Sequence, residues 1–253
     1  MHRLHSPPFL FSALALAASA LAAQGAFAEN LKPLFTEEGP VREGWTVRHW
    51  ADISQKPVRP VDWEVRDGIL YGTGRFSAGG KDPLGTWLLS EREYADFILE
   101  LDFKFKDGGL NGNGGIALRT PLKGDPAYEG IELQITDERY ERRFFPDAGN
   151  DQLSGALYFV SPAKSLQYRQ GAWNHYRIEV RGPKINVWLN GTQVQDADLA
   201  TLTRPAKMHG QGTEILPAQP GSKRPLRGHI GFQDLSESHE ALMFRNVRLE
   251  ELD

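Results

Sequence analysis

Glu132 and Gln134 alternate with Ile131, Leu133 and Ile135 along one short segment of the chain. In an extended strand, successive side chains point to opposite faces, so the two polar groups share a face that the aliphatic groups do not. A carboxylate beside an amide can move a proton or hold a polar ligand. What this pair does depends on the groups that the neighbouring strands place beside it.

Three other predicted strands combine small residues with hydrogen-bonding groups on the face opposite their apolar residues. The alternation puts on that face Gly115, Ala117 and Arg119, then Ala156 and Tyr158, then His229, Gly231 and Gln233. Gly and Ala weaken a strand and leave space, whereas solvated sheet faces usually carry Thr, Lys, Glu or Arg. If the strands are neighbours, the space predicts the floor of a pocket. The converging polar groups would be Arg119, Glu132, Gln134, Tyr158 and Gln233. The alternative is a solvated sheet surface with a salt bridge between Arg119 and Glu132.

Three further residues are candidates for contact with a ligand, namely Asn113, Trp173 and Asn174. Trp173 either stacks on a sugar ring or closes the end of the domain, and the second role is commoner for a single tryptophan. His175 is more often a satisfied histidine at a strand end than a ligand-binding group. A calcium site at 147–151 is disfavoured because the spacing of its acidic residues matches no defined loop.

The first 28 residues have the pattern of a secretory signal peptide. Arg3 precedes an apolar run over 9–23, and Ala26-Phe27-Ala28 supplies small residues for cleavage. The run is shorter than the roughly 20 residues that span a bilayer. We therefore expect a periplasmic or secreted protein that begins at Glu29 and has no membrane span in its mature part.

Composition excludes several classes of function. The chain has no cysteine, which excludes disulfides, thiolate metal sites and cysteine nucleophiles. Without Arg3, 28 basic and 33 acidic side chains remain, a net charge of −5, and no basic stripe with interleaved aromatic residues is present. Nucleic acid is therefore not an expected partner.

Short strands separated by turn residues dominate the rest of the chain. Asp67-Gly68 and Asn190-Gly191 predict tight hairpins, and residues 97–105 predict a half-buried strand in which large apolar residues occupy every second position. One helical turn is predicted near 90–95, with Ser90 as its cap. Residues 138–153 and 203–227 have no period and are expected to be binding or mobile loops. Residues 29–253 are thus predicted to form one all-β domain, a two-sheet antiparallel sandwich or jelly roll with few short helices.

The order of these motifs resembles the 3-keto-disaccharide hydrolase family over nearly the whole mature chain, from about Gly44 to Leu252. The matching runs are GGIALR at 114–119, GIELQITD at 130–137, GALY at 155–158, AWN at 172–174, IGFQD at 230–234 and FRNV at 244–247. The resemblance implies a concanavalin A-like jelly roll, a bacterial secreted or periplasmic protein, and action on glycosides oxidised at C3. It allows a divalent cation, although the sequence shows no recognisable ligand set. Many members carry His-Gly after the Gln-Asp pair, where this chain has Leu235, and His239 could replace that histidine.

For such a substrate, the ketone at C3 acidifies the C2 proton, so the glycosidic bond can break by elimination through an enolate, followed by addition of water. Glu132 would be the base for the C2 proton, and Gln233 and Tyr158 would position the ring. Arg119, with Gln134 or Asn174, would stabilise the oxyanion at C3. The acid for the leaving oxygen would be Asp137 or His239.

Three alternatives stay open. One is direct hydrolysis by two carboxylates, although Glu132 and Asp137 have opposite parity in an ideal strand. The second is a carbohydrate-binding module without catalysis, and the third is an envelope structural protein with no small ligand.

Overall fold

Short strands joined by tight turns make up the computed structural model of the protein, which describes residues 30–73, 85–106, 112–210, 214–237 and 241–252. The chain divides into two compact units, Met1–Leu31 and Lys32–Asp253, and every strand and helix described below belongs to the second. The predicted signal peptide and its cleavage site lie outside the described ranges and stay predictions. No helix in those ranges is both long and apolar enough to cross a membrane.

Sixteen strands and two α-helices are present in the described ranges. The strands are β1 (Lys32–Pro33), β2 (Gly39–Pro40), β3 (Trp45–His49), β4 (Glu64–Arg66), β5 (Ile69–Tyr71), β6 (Thr86–Tyr94), β7 (Phe97–Phe105), β8 (Asn113–Thr120), β9 (Ile131–Thr136), β10 (Asn174–Arg181), β11 (Lys184–Leu189), β12 (Thr192–Asp198), β13 (Ala206–His209), β14 (Ile215–Ala218), β15 (Gly228–Asp234) and β16 (Leu242–Glu251). The helices are α1 (Pro126–Glu129) and α2 (Glu138–Phe144), and two 3-10 turns cover Leu199–Thr201 and Gly221–Lys223.

Two antiparallel sheets contain nearly all of these strands. Sheet A has the order β12-β11-β10-β7-β16-β5-β4-β2, with β1 also paired to β16, and sheet B has the order β3-β6-β15-β8-β9. The hairpin of β13 and β14 forms a separate two-stranded sheet. The predicted fold class, an all-β two-sheet antiparallel sandwich of the jelly-roll type with few short helices, is confirmed.

The apolar core lies between sheets A and B. The alternating strand β7 supplies Phe97, Leu99, Leu101, Phe103 and Phe105, all of them buried as the sequence predicts. They belong to one cluster with residues of sheet B such as Ile116, Leu133 and Phe232. Full burial of each such side chain contributes about 1.5–3 kcal/mol. The opposite face of sheet B is therefore free to carry polar groups.

The two predicted tight hairpin turns are confirmed. Asp67 and Gly68 have φ angles of 52° and 70°, and Asn190 and Gly191 have 52° and 83°. Two successive positive φ angles define the type I′ turn, which matches the twist of the strands that it joins. These turns set the registers of the β4–β5 and β11–β12 pairs.

One predicted helical turn is absent, and two segments predicted as loops contain regular structure. Residues 90–95 form no helical turn, because Ser90 lies within β6 and its hydroxyl donates to the Arg92 carbonyl at 2.7 Å and accepts from the Ile230 N–H at 3.1 Å. The segment 138–153 begins with α2, and the segment 203–227 contains the β13–β14 hairpin. Both long segments therefore carry regular structure that the hydrophobic period does not reveal.

Candidate active site

The outer face of sheet B carries polar and small residues in two cross-strand rows. One row contains Trp87, Gln233, Gly115 and Gln134, and the next contains Leu89, Gly231, Ala117 and Glu132. Strands β15, β8 and β9, which the sequence predicts to share a polar face, are thus direct neighbours. Their apolar residues point to the core between the sheets.

A short extended segment lengthens both rows beyond β9. Leu133 and Leu157 form an antiparallel bridge, the Gln134 N–H donates to the Ala156 carbonyl at 3.0 Å, and the Tyr158 N–H donates to the Glu132 carbonyl at 2.9 Å. Because side chains alternate along an extended chain, this pairing places Tyr158 beside Glu132 on the outer face.

Side-chain amides flank the Glu132 carboxylate. The side-chain amides of Gln134 and Gln233 each have one end close to Oε1 of Glu132, at 3.2 Å and 3.3 Å. With its nitrogen at that end, each amide donates a hydrogen bond to Oε1. Oδ1 of Asn113 lies 3.2 Å from the other end of the Gln134 amide. Glu132, Gln134 and Gln233 are only 6, 2 and 4% exposed. Four of the predicted site residues therefore meet at one buried place, with Tyr158 next to them.

Burial and nearby negative charges affect the protonation of the Glu132 and Glu141 carboxyl groups. Burial raises the pKa of Glu132 well above its ordinary value of 4.5, and the charges of Asp125 and Glu141 raise it further. Burial also raises the pKa of Glu141 to about 7, while hydrogen bonds from Gln152 and Tyr158 act in the opposite direction. Carboxyl groups shifted in this way can exchange protons near neutral pH.

The space above the glycines of this face is filled, so the expectation of an empty pocket floor there is wrong. A Cβ atom on Gly115 would overlap the Glu132 carboxylate, which leans over this glycine. A Cβ atom on Gly231 would overlap the side chain of Leu89. The missing side chain at Gly115 thus makes room for the carboxylate itself. Beside it, Ile53, Trp87, Leu89 and Ala117 form an apolar cluster on the same face.

Arg119 does not share this face, which corrects the prediction from strand parity. The register of β8 against β15 shifts between the pairs Thr120–His229 and Ala117–Gly231, and Arg119 has a φ angle of 53°. Such a β-bulge breaks the two-residue alternation and redirects the side chain that follows it.

The guanidinium of Arg119 is fully engaged elsewhere. Nε donates to the Ala95 carbonyl and Nη1 to the Gly182 carbonyl, each at 2.5 Å, and Nη2 pairs with Asp96 at 2.7 Å. These partners lie in the β6–β7 and β10–β11 turns, so Arg119 ties turns at one end of the domain. Its predicted role as an oxyanion holder is therefore wrong.

Asp137 begins a helix, contrary to its predicted role as the acid. Its carboxylate accepts from the Arg139 N–H at 2.9 Å as the N-cap of α2 and pairs with the Arg139 Nε at 2.7 Å. An N-cap bond satisfies one of the free N–H groups of the first helical turn. The other predicted acid, His239, lies outside the described residues.

Trp173 and Asn174 belong to sheet A and its loops, so their predicted place in the site is also wrong. Arg245 of β16 stacks over the Trp173 ring at 4.1 Å. The Asn174 side chain accepts from the Arg169 N–H at 2.7 Å and donates to the Arg169 and Ala172 carbonyls, which closes a local loop. His175 pairs with Asp102 at 2.9 Å.

Sequence reasoning missed Glu141 and His209. Glu141 is 2% exposed and accepts from the Gln152 amide at 3.1 Å, and His209 Nε2 lies 2.8 Å from the Tyr158 hydroxyl. A signal for α2 exists, since acidic residues in its first turn and arginines in its last turn suit the helix dipole. His209 has no comparable signal, because its contact with Tyr158 depends on how a distant hairpin packs.

The donor set does not fit the divalent cation that the resemblance allows. The Glu132 carboxylate is flanked by amides, and its negative neighbours are held by other groups, as Glu141 is by Gln152. Within the described ranges, no three His, Asp or Glu side chains are grouped so that they could hold one ion. Within 147–151, where the sequence disfavours a calcium site, Asp151 pairs with Lys207 at 2.9 Å.

Comparison with known proteins gives this geometry a family. The profile of the 3-keto-alpha-glucoside-1,2-lyase-like domain matches residues 31–250. The 3-keto-disaccharide hydrolase of Bacteroides thetaiotaomicron is 25% identical over 232 residues, which cover 83% of this chain and 77% of that protein.

Solved structures agree with the fold. A candidate glycosyl hydrolase from Parabacteroides distasonis has a TM-score of 0.63 and 26% identity, covering 88% of this chain and 100% of the other. A second one from the same organism has a TM-score of 0.55 and 18% identity over 86% of this chain and 100% of the other, which supports the fold alone. The match over residues 31–250 confirms the resemblance, and the chain belongs to the 3-keto-alpha-glucoside-1,2-lyase-like domain family.

Proposed function

We propose that the protein cleaves the glycosidic bond of 3-keto-glycosides, with Glu132 as the base. The observation that carries this proposal is the buried Glu132 carboxylate between the amides of Gln134 and Gln233, with a pKa raised by burial. The curated relative named a 3-keto-disaccharide hydrolase supports the substrate class.

The chemistry of the substrate explains why one buried base is useful. A ketone at C3 acidifies the proton at C2, and the C1–O bond is then β to the carbonyl group. The base removes the C2 proton, the enolate forms, and the electron pair expels the C1 oxygen to leave a C1=C2 double bond. Water then adds at C1 as the proton returns to C2, so the net reaction is hydrolysis without a covalent nucleophile.

The environment of Glu132 suits proton abstraction from carbon. A raised pKa makes the ionised carboxylate a stronger base, which brings it closer to the acidity of the C2 proton. The amides of Gln134 and Gln233 keep Oε1 in one position.

Direct hydrolysis by two carboxylates is a second mechanism for the same substrate. It is favoured by Glu141, a buried acid whose charge raises the pKa of Glu132. In that mechanism Glu141 would protonate the leaving oxygen while Glu132 activates water or attacks C1.

The purified protein is expected to release the leaving group from 3-keto-glucosides and not from the matching unoxidised glucosides. If the substrate carries deuterium at C2, elimination predicts that the label is lost to water during turnover. NMR measures this loss. Full retention of deuterium in the product would rule out elimination and favour direct hydrolysis. Absence of release from every keto substrate would remove cleavage as the function.

Gly115→Ala is expected to lower kcat by about 10²-fold while the protein still folds. The new methyl group would displace the Glu132 carboxylate, and a misplacement of about 1 Å can cost a factor of this size. Gly231→Ala is the matched control in the neighbouring strand. Its methyl group would meet Leu89 and the Leu88 carbonyl oxygen rather than Glu132, so we expect lost thermal stability and a smaller change in kcat. Equal kcat losses in the two variants would contradict this explanation.

A further inference from the structure

With Arg119 engaged at the end of the domain, the polar face needs another donor for the oxygen that becomes negative in the proposed reaction. Tyr158 is placed for this. Its N–H donates to the Glu132 carbonyl at 2.9 Å, and side chains that face each other across an antiparallel pair have Cβ atoms about 4.5–5.5 Å apart. The side chains of Tyr158 and Glu132 therefore start from neighbouring positions on the outer face of sheet B.

His209 holds the Tyr158 hydroxyl in place. Nε2 of His209 lies 2.8 Å from Oη of Tyr158. The imidazole stacks on the Phe145 ring at 4.2 Å and meets the Phe159 ring edge-on at 4.9 Å. Because two aromatic rings pack against the imidazole of His209, it has little freedom to rotate.

The other imidazole nitrogen reveals the direction of this hydrogen bond. Nδ1 of His209 is buried and has no partner within the part of the chain that the structure describes. An unpaired buried N–H is rarer than an unpaired acceptor, so the proton belongs on Nε2. His209 then donates to Tyr158, and the hydroxyl hydrogen of Tyr158 points to a second acceptor.

Burial and nearby negative charges keep the Tyr158 hydroxyl protonated. Burial raises its pKa well above 10, and so do the negative charges of Glu141 on α2 and Glu132 on β9, with Tyr128 on α1 contributing in the same direction. Burial lowers the pKa of His209 on β13, so the pair is neutral near pH 7. The hydroxyl is therefore a donor that does not ionise, and a hydrogen bond from Tyr158 lowers the pKa of Glu141.

We propose that Tyr158, oriented by His209, donates a hydrogen bond to the C3 oxygen of the 3-keto sugar while Glu132 removes the C2 proton. The assignment rests on the proposed function. The C–H electron pair becomes the C2=C3 double bond, the carbonyl π pair moves onto the oxygen, and the proton goes to Glu132. One negative charge thus moves from the carboxylate to the enolate oxygen, and the net charge of the site is unchanged. Tyr158 touches the reacting atoms, whereas His209 is a positioning residue.

The test isolates proton abstraction from bond cleavage. A 3-keto-1,5-anhydroglucitol has no glycosidic substituent at C1, so exchange of its C2 hydrogen with D₂O, measured by NMR, reports enolate formation without glycosidic cleavage. Tyr158→Phe is expected to slow this exchange by about 10²–10³-fold, the usual effect of removing one oxyanion donor, with little change in the dissociation constant. His209→Phe is expected to slow it by about tenfold, and His209→Gln, which keeps an N–H donor, should restore most of the rate.

Tyr128→Phe is the matched control, since it removes a nearby hydroxyl that accepts from the backbone N–H of His209 at 3.2 Å. We expect its exchange rate to stay within a few-fold of wild type. If Tyr158→Phe exchanges normally but fails to cleave alkyl glycosides while cleaving p-nitrophenyl ones, Tyr158 is instead the leaving-group acid and the assignment is overturned. Equal losses for Tyr158→Phe and Tyr128→Phe would also overturn it. If the wild-type protein neither exchanges nor cleaves, the proposed function itself fails.

Discussion

Replacing Glu132 with glutamine is expected to lower kcat on 3-keto-glucosides by about 10³-fold and to leave sugar binding nearly intact. An amide has the shape of the carboxyl group but cannot accept the C2 proton, and general base catalysis contributes about 10²–10⁴-fold. Stopped assays of cleavage and calorimetric titration with a keto sugar measure the two quantities. A non-catalytic binding module would instead show tight binding and no turnover in the wild-type protein.

The wild-type pH profile provides the companion measurement. The base works only when ionised, and its pKa is raised above 4.5, so kcat/KM should fall as the pH drops through a value well above 4.5. The acidic limb should be absent from the residual activity of Glu132→Gln. Activity that rises as the pH falls through this region would mean that Glu132 acts in its protonated form, as an acid, and would exclude it as the base.

Arg119→Met is expected to destabilise the protein by about 2–4 kcal/mol, because it leaves two turn carbonyls without donors and removes the partner of the partly exposed Asp96. For a unit of this size the change corresponds to a fall in Tm of roughly 10 °C. Thermal denaturation measures it. At a temperature where the variant is folded, kcat should be close to wild type, because Arg119 lies away from the polar face.

Arg227→Met is the control for that experiment. Arg227 pairs with Glu93 at 3.2 Å, but the two side chains are 63 and 48% exposed. Exposed pairs contribute about 0–1 kcal/mol, so its Tm should change by no more than a few degrees. A large loss of kcat in Arg119→Met without a loss of stability would show that Arg119 acts in the active site.

Strand periodicity predicted the part of the site that lies within regular strands. Glu132, Gln134 and Gln233 face the same way because the two-residue period is unbroken along β9 and the last residues of β15. Tyr158 follows the same parity because its segment pairs with β9 through backbone hydrogen bonds. The position of these groups depends only on alternation and on which strands are neighbours.

The errors lie where alternation ends. At Arg119 a bulge reverses the side chain, and neither the bulge nor the positive φ angle is visible in an apolar-polar pattern. Asp137 follows the end of β9 and is the N-cap of α2. His209 depends on contacts between residues far apart in sequence, and Trp173 lies at the start of a strand in the other sheet. Local pattern cannot assign such residues, because tertiary packing decides their partners.

The ribbon of β13 and β14 is paired with neither sheet, yet it carries the histidine that contacts Tyr158. Glu132, the proposed base, lies in sheet B, whereas His209, the proposed positioning residue, lies on this separate hairpin. If the proposed roles hold, substitutions or length changes in the hairpin would change how Tyr158 is oriented towards different ketones and would leave the strands that carry Glu132 unchanged.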